Sequence, residues 1–153
     1  MKFLVALDFS DITQSILENA AKLATAMQAE TILIHVAEPN PDQIAYDYDP
    51  TATYAIEPSE IRKNIAQRFH QEHQTLQQYA DRLRQQGIDC KALMIQGPTV
   101  DVLLTEAQKL SVDFIMAGSH GKGVISQILL GSTSKELIKK STLPVYIVPT
   151  AGG

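Results

Sequence analysis

The chain has 153 residues, 44% hydrophobic and 20% charged, with 8 Gly, 7 Pro and a formal net charge of -4. These proportions exclude disorder and collagen-like structure and fit one soluble globular domain. A chain of this length buries about 68–70% of its unfolded surface, so it needs no disulfide, metal or obligatory partner to fold. One cysteine, Cys90, cannot form an internal disulfide framework and points to a reducing compartment. The opening apolar run, Phe3 to Leu7, ends at Asp8 and is too short for a secretion signal. No stretch approaches the 18 apolar residues of a membrane span, and the mild acidity speaks against a nucleic-acid footprint. A cytoplasmic protein with neither nucleic acid nor membrane as partner is expected.

Phe3 to Leu7 is a continuous apolar run, the pattern of a strand buried on both faces. Ser10 or Asp11 then caps a helix whose apolar positions Ile12, Ile16, Leu17, Ala20, Leu23, Ala24 and Met27 recur at three and four residues. A second strand runs from Thr31 to Ala37, interrupted only by His35. Residues 38–57 form a long irregular segment with three of the seven Pro, three of the five Tyr and five acids without one Lys or Arg; such a loop is a candidate lid or partner surface. A long helix opens near Pro58 and Ser59, with Ile61, Ile65, Phe69, Leu76, Ala80 and Leu83 on one stripe and Gly87 as its stop. A third strand spans Ile88 to Ile95. Pro98 opens a helix carrying Val100, Leu103, Leu104, Ala107 and Leu110, a fourth strand spans Val112 to Ala117, and Pro144 to Val148 makes a fifth. Apolar strands alternating with helices specify a doubly wound α/β domain, a parallel sheet covered on both faces. Neither an internal repeat nor a second domain interrupts residues 1–153.

In such sheets ligands bind beyond the carboxyl ends of the strands, where neighbouring crossovers leave in opposite directions. The residues after strands one and four therefore carry the chemistry: Asp8-Phe9-Ser10, and Gly118-Ser119-His120-Gly121-Lys122-Gly123. Three glycines in six residues let the backbone adopt left-handed dihedrals and turn its N–H groups toward phosphate oxygens. Ten residues past Gly121 stands Gly131-Ser132-Thr133-Ser134, where Thr133 and Glu136 have capping-box spacing and Ile138 continues an apolar stripe. A helix starting there presents free N–H groups and a positive dipole end to an anion. The pattern is not a Walker A loop, because Met116 stands where its first Gly belongs and Gly123 follows Lys122; the G-x-G-x-x-G fingerprint is absent too.

The spacing Gly118-x2-Gly121-x9-Gly131-Ser132, with Asp8 and the ending Leu143-Pro-Val-Tyr-Ile-Val148, resembles the nucleotide-binding motif of the universal stress protein family over nearly the whole chain. The resemblance implies a five-stranded sheet of order 3-2-1-4-5, adenine nucleotide alpha hydrolase-like, and the subfamily that binds ATP or another adenine nucleotide. It implies that Asp8 meets the ribose or adenine end, that Val36 packs near the base, and that Gly118, Gly121, Gly131, Ser132 and Thr133 line the triphosphate; in a phosphoryl-transfer reading Asp8 is also the candidate Mg2+ contact. Ala6, Ala117 and Ser134 belong to the same candidate site, with Lys122, or Lys135, balancing phosphate charge unless solvated surface. No catalytic residue is assigned.

Other polar residues have plainer readings. His120 either bonds a phosphate or shapes the loop. His70 and His73 sit on a polar helical face without a third ligand. His35 is a satisfied interior group, and Cys90 a small apolar filler. The last strand lies at a sheet edge, and Val145, Tyr146, Ile147 and Val148 carry no gatekeeping charge, so two copies are expected to pair edge to edge as a homodimer. The functional expectation is a small cytoplasmic stress-response regulator whose conformation depends on an adenine nucleotide. The alternatives are a slow ATPase or phosphoryl-transfer enzyme, and an interaction module that binds AMP, cyclic AMP or no nucleotide.

Overall fold

The computed structural model describes residues 1–38, 58–120 and 130–149. The elements follow in the order β1 (Lys2–Ala6), α1 (Thr13–Met27), β2 (Glu30–Ala37), α2 (Pro58–Gln85), β3 (Cys90–Gln96), α3 (Thr99–Lys109), β4 (Phe114–Gly118), α4 (Ser132–Lys140) and β5 (Val145–Val148). All neighbouring strands pair in parallel, in the spatial order β3-β2-β1-β4-β5. This is the α/β architecture expected from the strand and helix pattern, with the strand order that the family resemblance implies.

The continuous apolar strands are explained by the two cores they separate. Phe3, Val5, Leu33 and Met116 face α1 and α2, meeting Ile16, Leu17, Ala20, Leu76 and Ala80. Leu4, Ile32, Ile34 and Ile115 face the other way, toward Val100, Leu103 and Ala107 of α3 and Leu137 of α4. Successive side chains of a strand point to opposite faces, so a strand buried on both must be apolar at every position. The long helix α2 stops as expected: Gly87 takes φ 82°, its N–H donates to the Arg84 carbonyl, and the Ile88 N–H reaches back to Leu83, a Schellman closure.

Three local expectations are corrected. Neither Ser10 nor Asp11 caps α1; its N-cap is Ile12, without a side-chain cap. The chain turns earlier, with the Ser10 N–H donating to Asp8 Oδ1 at 3.0 Å and Phe9 at φ 60°, because a short acidic side chain two residues past the strand closes an Asx turn first. The Thr133–Glu136 capping box does not form either: α4 starts at Ser132 with Gly131 as N-cap and no side-chain cap. The Gly131 N–H is instead committed to the Ser119 carbonyl at 2.8 Å, which fixes the helix start two residues before the box would. Ile138 is 44% exposed, while Ser134 and Leu137 turn inward, since Ser134 reaches back to β4.

Among the described residues, no helix is long and apolar enough to cross a membrane. Cys90 is buried as a core filler, and burial pushes its thiol up to about 11. Because the thiolate is the reactive form, Ellman's reagent at pH 8 should modify native Cys90 roughly a hundredfold more slowly than the urea-unfolded chain; equal rates would show that the thiol is accessible.

Candidate functional site

The carboxyl ends of β1 and β4 lie side by side at the centre of the sheet, where the chain crosses from the β1-β2-β3 half to the β4-β5 half. This is the switch point at which a parallel sheet opens a crevice. A cleft of about 140 Å³ is found there. Its sheet-side wall includes Ala6 at the end of β1, Asp8 beyond it, Val36 of β2, and Ala117 and Gly118 of β4; Thr133 and Ser134 of α4 also line it. Thus the sequence-derived residues Ala6, Asp8, Val36, Ala117, Gly118, Thr133 and Ser134 come together around one cavity. Gly131 is buried at the N-cap of α4 and Ser132 is exposed at its first helical position; neither is part of the wall. Gly121 and Lys122, like residues 39–57 of the long segment, lie outside the described residues. Lys135 is exposed and away from the wall.

Three short contacts hold the α4 side in place. The Ser119 N–H donates to the Val148 carbonyl at 2.8 Å, the Gly131 N–H donates to the Ser119 carbonyl at 2.8 Å, and the Ser134 hydroxyl donates to the Gly118 carbonyl at 2.6 Å. The first turn of α4 therefore faces the cleft, with the positive end of its dipole. Gly118 itself departs from expectation. Its φ is not positive; a Cβ there would come within 3.1 Å of Ile12 Cγ2 and Ile16 Cδ1. The missing side chain gives α1 room to approach β4, rather than giving the backbone a left-handed turn.

The rest of the wall is mainly apolar, with Ile34, Leu103 and Leu137 among its residues. Asp8 and His120 are the titratable groups of the described wall. Among the described residues no group of three or more His, Cys, Asp or Glu is placed to hold a metal ion. A divalent cation would fit here only as Mg2+ is commonly bound, through one carboxylate and the phosphates of a ligand, with Asp8 as that carboxylate.

His35 is the satisfied interior group anticipated. It is 7% exposed, its Nδ1 lies 2.8 Å from the Leu7 carbonyl, its Nε2 lies 3.2 Å from Glu72 Oε2, and its ring stacks on Phe9 at 4.3 Å. It thereby braces the Leu7-Asp8-Phe9 turn from beneath. His70 and His73 lie on an exposed face of α2.

Sequence reading missed Glu38. Its Oε1 accepts the Thr99 hydroxyl at 2.6 Å and the Thr99 N–H at 2.9 Å, capping α3 from a residue 61 positions away, and Thr99 lines the cleft. No local pattern announces a cap supplied from another element. The Thr99 hydroxyl first, and then its N–H, hold the Glu38 carboxyl below its ordinary value of 4.5. A depressed carboxyl contributes stability above the unfolded value, and that contribution is lost as pH falls through the folded one. Glu38→Gln should therefore cost about 0.5 kcal/mol at pH 7, the low end for an exposed cap. In urea titrations the difference should shrink as pH falls below 4.5; a difference that stays constant would mean the charge plays no part.

Comparison with known proteins agrees with this fold. Universal stress protein YxiE of Bacillus subtilis is 27% identical over 148 residues, covering 96% of this chain and 97% of that one. Universal stress protein MJ0577 of Methanocaldococcus jannaschii is 26% identical over 151 residues, covering 96% and 93%. The solved structure of MJ0577 superposes with a TM-score of 0.78 at 25% identity, covering 99% of this chain and 97% of that one. A universal stress protein in complex with cAMP shares the fold, with a TM-score of 0.64 at 22% identity over 99% and 98% of the two chains. Residues 1–149 match the universal stress protein family, and the chain belongs to it.

Proposed function

We propose that residues 1–153 act as one nucleotide-binding unit, a cytoplasmic stress-response regulator whose cleft takes ATP or another adenine nucleotide. The observation that carries this reading is the gathering of Ala6, Asp8, Val36, Ala117, Gly118, Thr133 and Ser134 around one cavity that joins an apolar wall to a helix N-terminus. That combination suits a ligand with a flat apolar base at one end and anionic oxygens at the other. A family member of the same fold in complex with cAMP supports the adenine end of the proposal. In this reading Val36 packs near the base, Asp8 meets the ribose side and any Mg2+ that accompanies the phosphates, and the first turn of α4 meets the phosphates. Gly121, Gly131, Ser132 and Lys122 complete the phosphate side. The buried, unbridged Cys90 fits a reducing compartment.

Binding stabilises the folded chain by mass action. Ligand at 100 times its dissociation constant adds about 2.7 kcal/mol, which for a domain of this size raises Tm by about 5–10 °C. A thermal-shift series with ATP, ADP, AMP and cyclic AMP should give that rise with at least one of them; no rise with any at millimolar concentration would remove the nucleotide reading.

The proposal includes a homodimer through β5. That strand ends the sheet, and Tyr146 on it is 40% exposed, so an edge of backbone donors and acceptors flanked by Val145, Ile147 and Val148 is offered for pairing. Light scattering at micromolar concentration should give a mass near twice 16.8 kDa; a monomer mass would rule this edge contact out.

A further inference from the structure

Ser119 is bound through its N–H to β5 and through its carbonyl to Gly131 at the start of α4, and the next residue is His120. The residue is 9% exposed and forms part of the cleft wall. Its Nδ1 lies 2.9 Å from Ser119 Oγ. Its Nε2 is buried and has no hydrogen-bond partner among the described residues.

Leaving a buried ring nitrogen unbonded is costly, and native proteins keep few such groups without a use for them. The use follows from what surrounds it. A neutral imidazole carries one proton, and whichever nitrogen accepts a bond leaves the other as donor. A serine hydroxyl can donate to Nδ1, and that bond puts the ring proton on Nε2. A donor in the cleft wall shared with Thr133 and Ser134 of α4 adds to the positive potential of that helix end, whereas an acceptor would oppose it. We infer that His120 Nε2 is a ligand-recognition donor that bonds an anionic phosphate oxygen, and that Ser119 is the positioning residue that fixes its tautomer. This deepens the nucleotide reading and rests on it for the adenine part of the ligand, but not for the phosphate part.

Two isosteric variants isolate the nitrogen that matters. The side-chain amide nitrogen of glutamine can occupy the place of Nε2, and that of asparagine the place of Nδ1. Isothermal titration of the full chain with ATP, tripolyphosphate and adenosine is expected to show H120Q within about threefold of the wild type for all three. H120N is expected to lose about tenfold or more in affinity for ATP and tripolyphosphate, the scale of one charge-assisted hydrogen bond, and to keep its affinity for adenosine. In the wild type, nitrogen-15 NMR is expected to show the ring proton of His120 on Nε2, and S119A to mix the two tautomers.

Unchanged phosphate affinity in H120N, an equal loss for adenosine, or a ring proton on Nδ1 in the wild type would overturn the inference. Binding of tripolyphosphate without binding of ATP or adenosine would sink the adenine reading and leave His120 standing. Wild-type protein that binds none of the three would sink both.

Discussion

The Ser119 carbonyl accepts the Gly131 N–H, and one residue earlier the Gly118 carbonyl accepts the Ser134 hydroxyl. Between them these two bonds tie the start of α4 to the end of β4 across a gap of more than ten residues in sequence. A helix that begins there must point its free N–H groups at the space above β1 and β4. Everything ascribed to the cleft depends on that orientation: the dipole end, the Thr133 and Ser134 hydroxyls, and the placement of His120 beside them. Ser119 also reaches β5 through its N–H, so the same short stretch joins the last helix, the last strand and the site.

The opposite wall is held by different means. There the Asx turn at Asp8 is braced from below by His35, which joins the Leu7 carbonyl to Glu72 of α2 while its ring supports Phe9. A polar residue inside a strand buried on both faces is expensive unless its nitrogens are bonded. Here the bonds link three elements, so the histidine both satisfies itself and fixes the turn that carries the only carboxylate of the described wall. One side of the cleft is thus set by backbone hydrogen bonds and the other by a buried side-chain bridge.

Most of the architecture was legible in the sequence because a doubly covered parallel sheet demands strands apolar throughout, and Phe3 to Leu7 or Thr31 to Ala37 have no other good use. The residues after the first and fourth strands were the ones a parallel sheet exposes to a ligand, which is why Asp8 and Gly118 could be assigned to one site from their positions, whereas Ala117 entered through the family resemblance. What failed was local chemistry with more than one solution. Ser10, Asp11 and Thr133 all have the composition of caps, yet backbone groups nearby were already committed, by Asp8 in one case and by the Ser119 carbonyl in the other. Glu38 was illegible for a different reason: its partner Thr99 is brought to it only by the pairing of β2 with β3. Gly118 was assigned to the right place for the wrong cause, since a glycine kept for space looks the same in sequence as one kept for its dihedrals.

That last distinction governs how this part of the chain can diverge. Ile12 and Ile16 press so closely on the α-carbon at position 118 that a methyl group there must displace one or both. Cores accept exchanges that conserve total volume far better than additions, and the effects of touching residues do not add. An alanine at 118 therefore asks both isoleucines to give by a few tenths of an ångström, so the three positions are coupled, and whether α1 can yield, more than the tolerance of position 118 alone, decides which descendants keep the crevice.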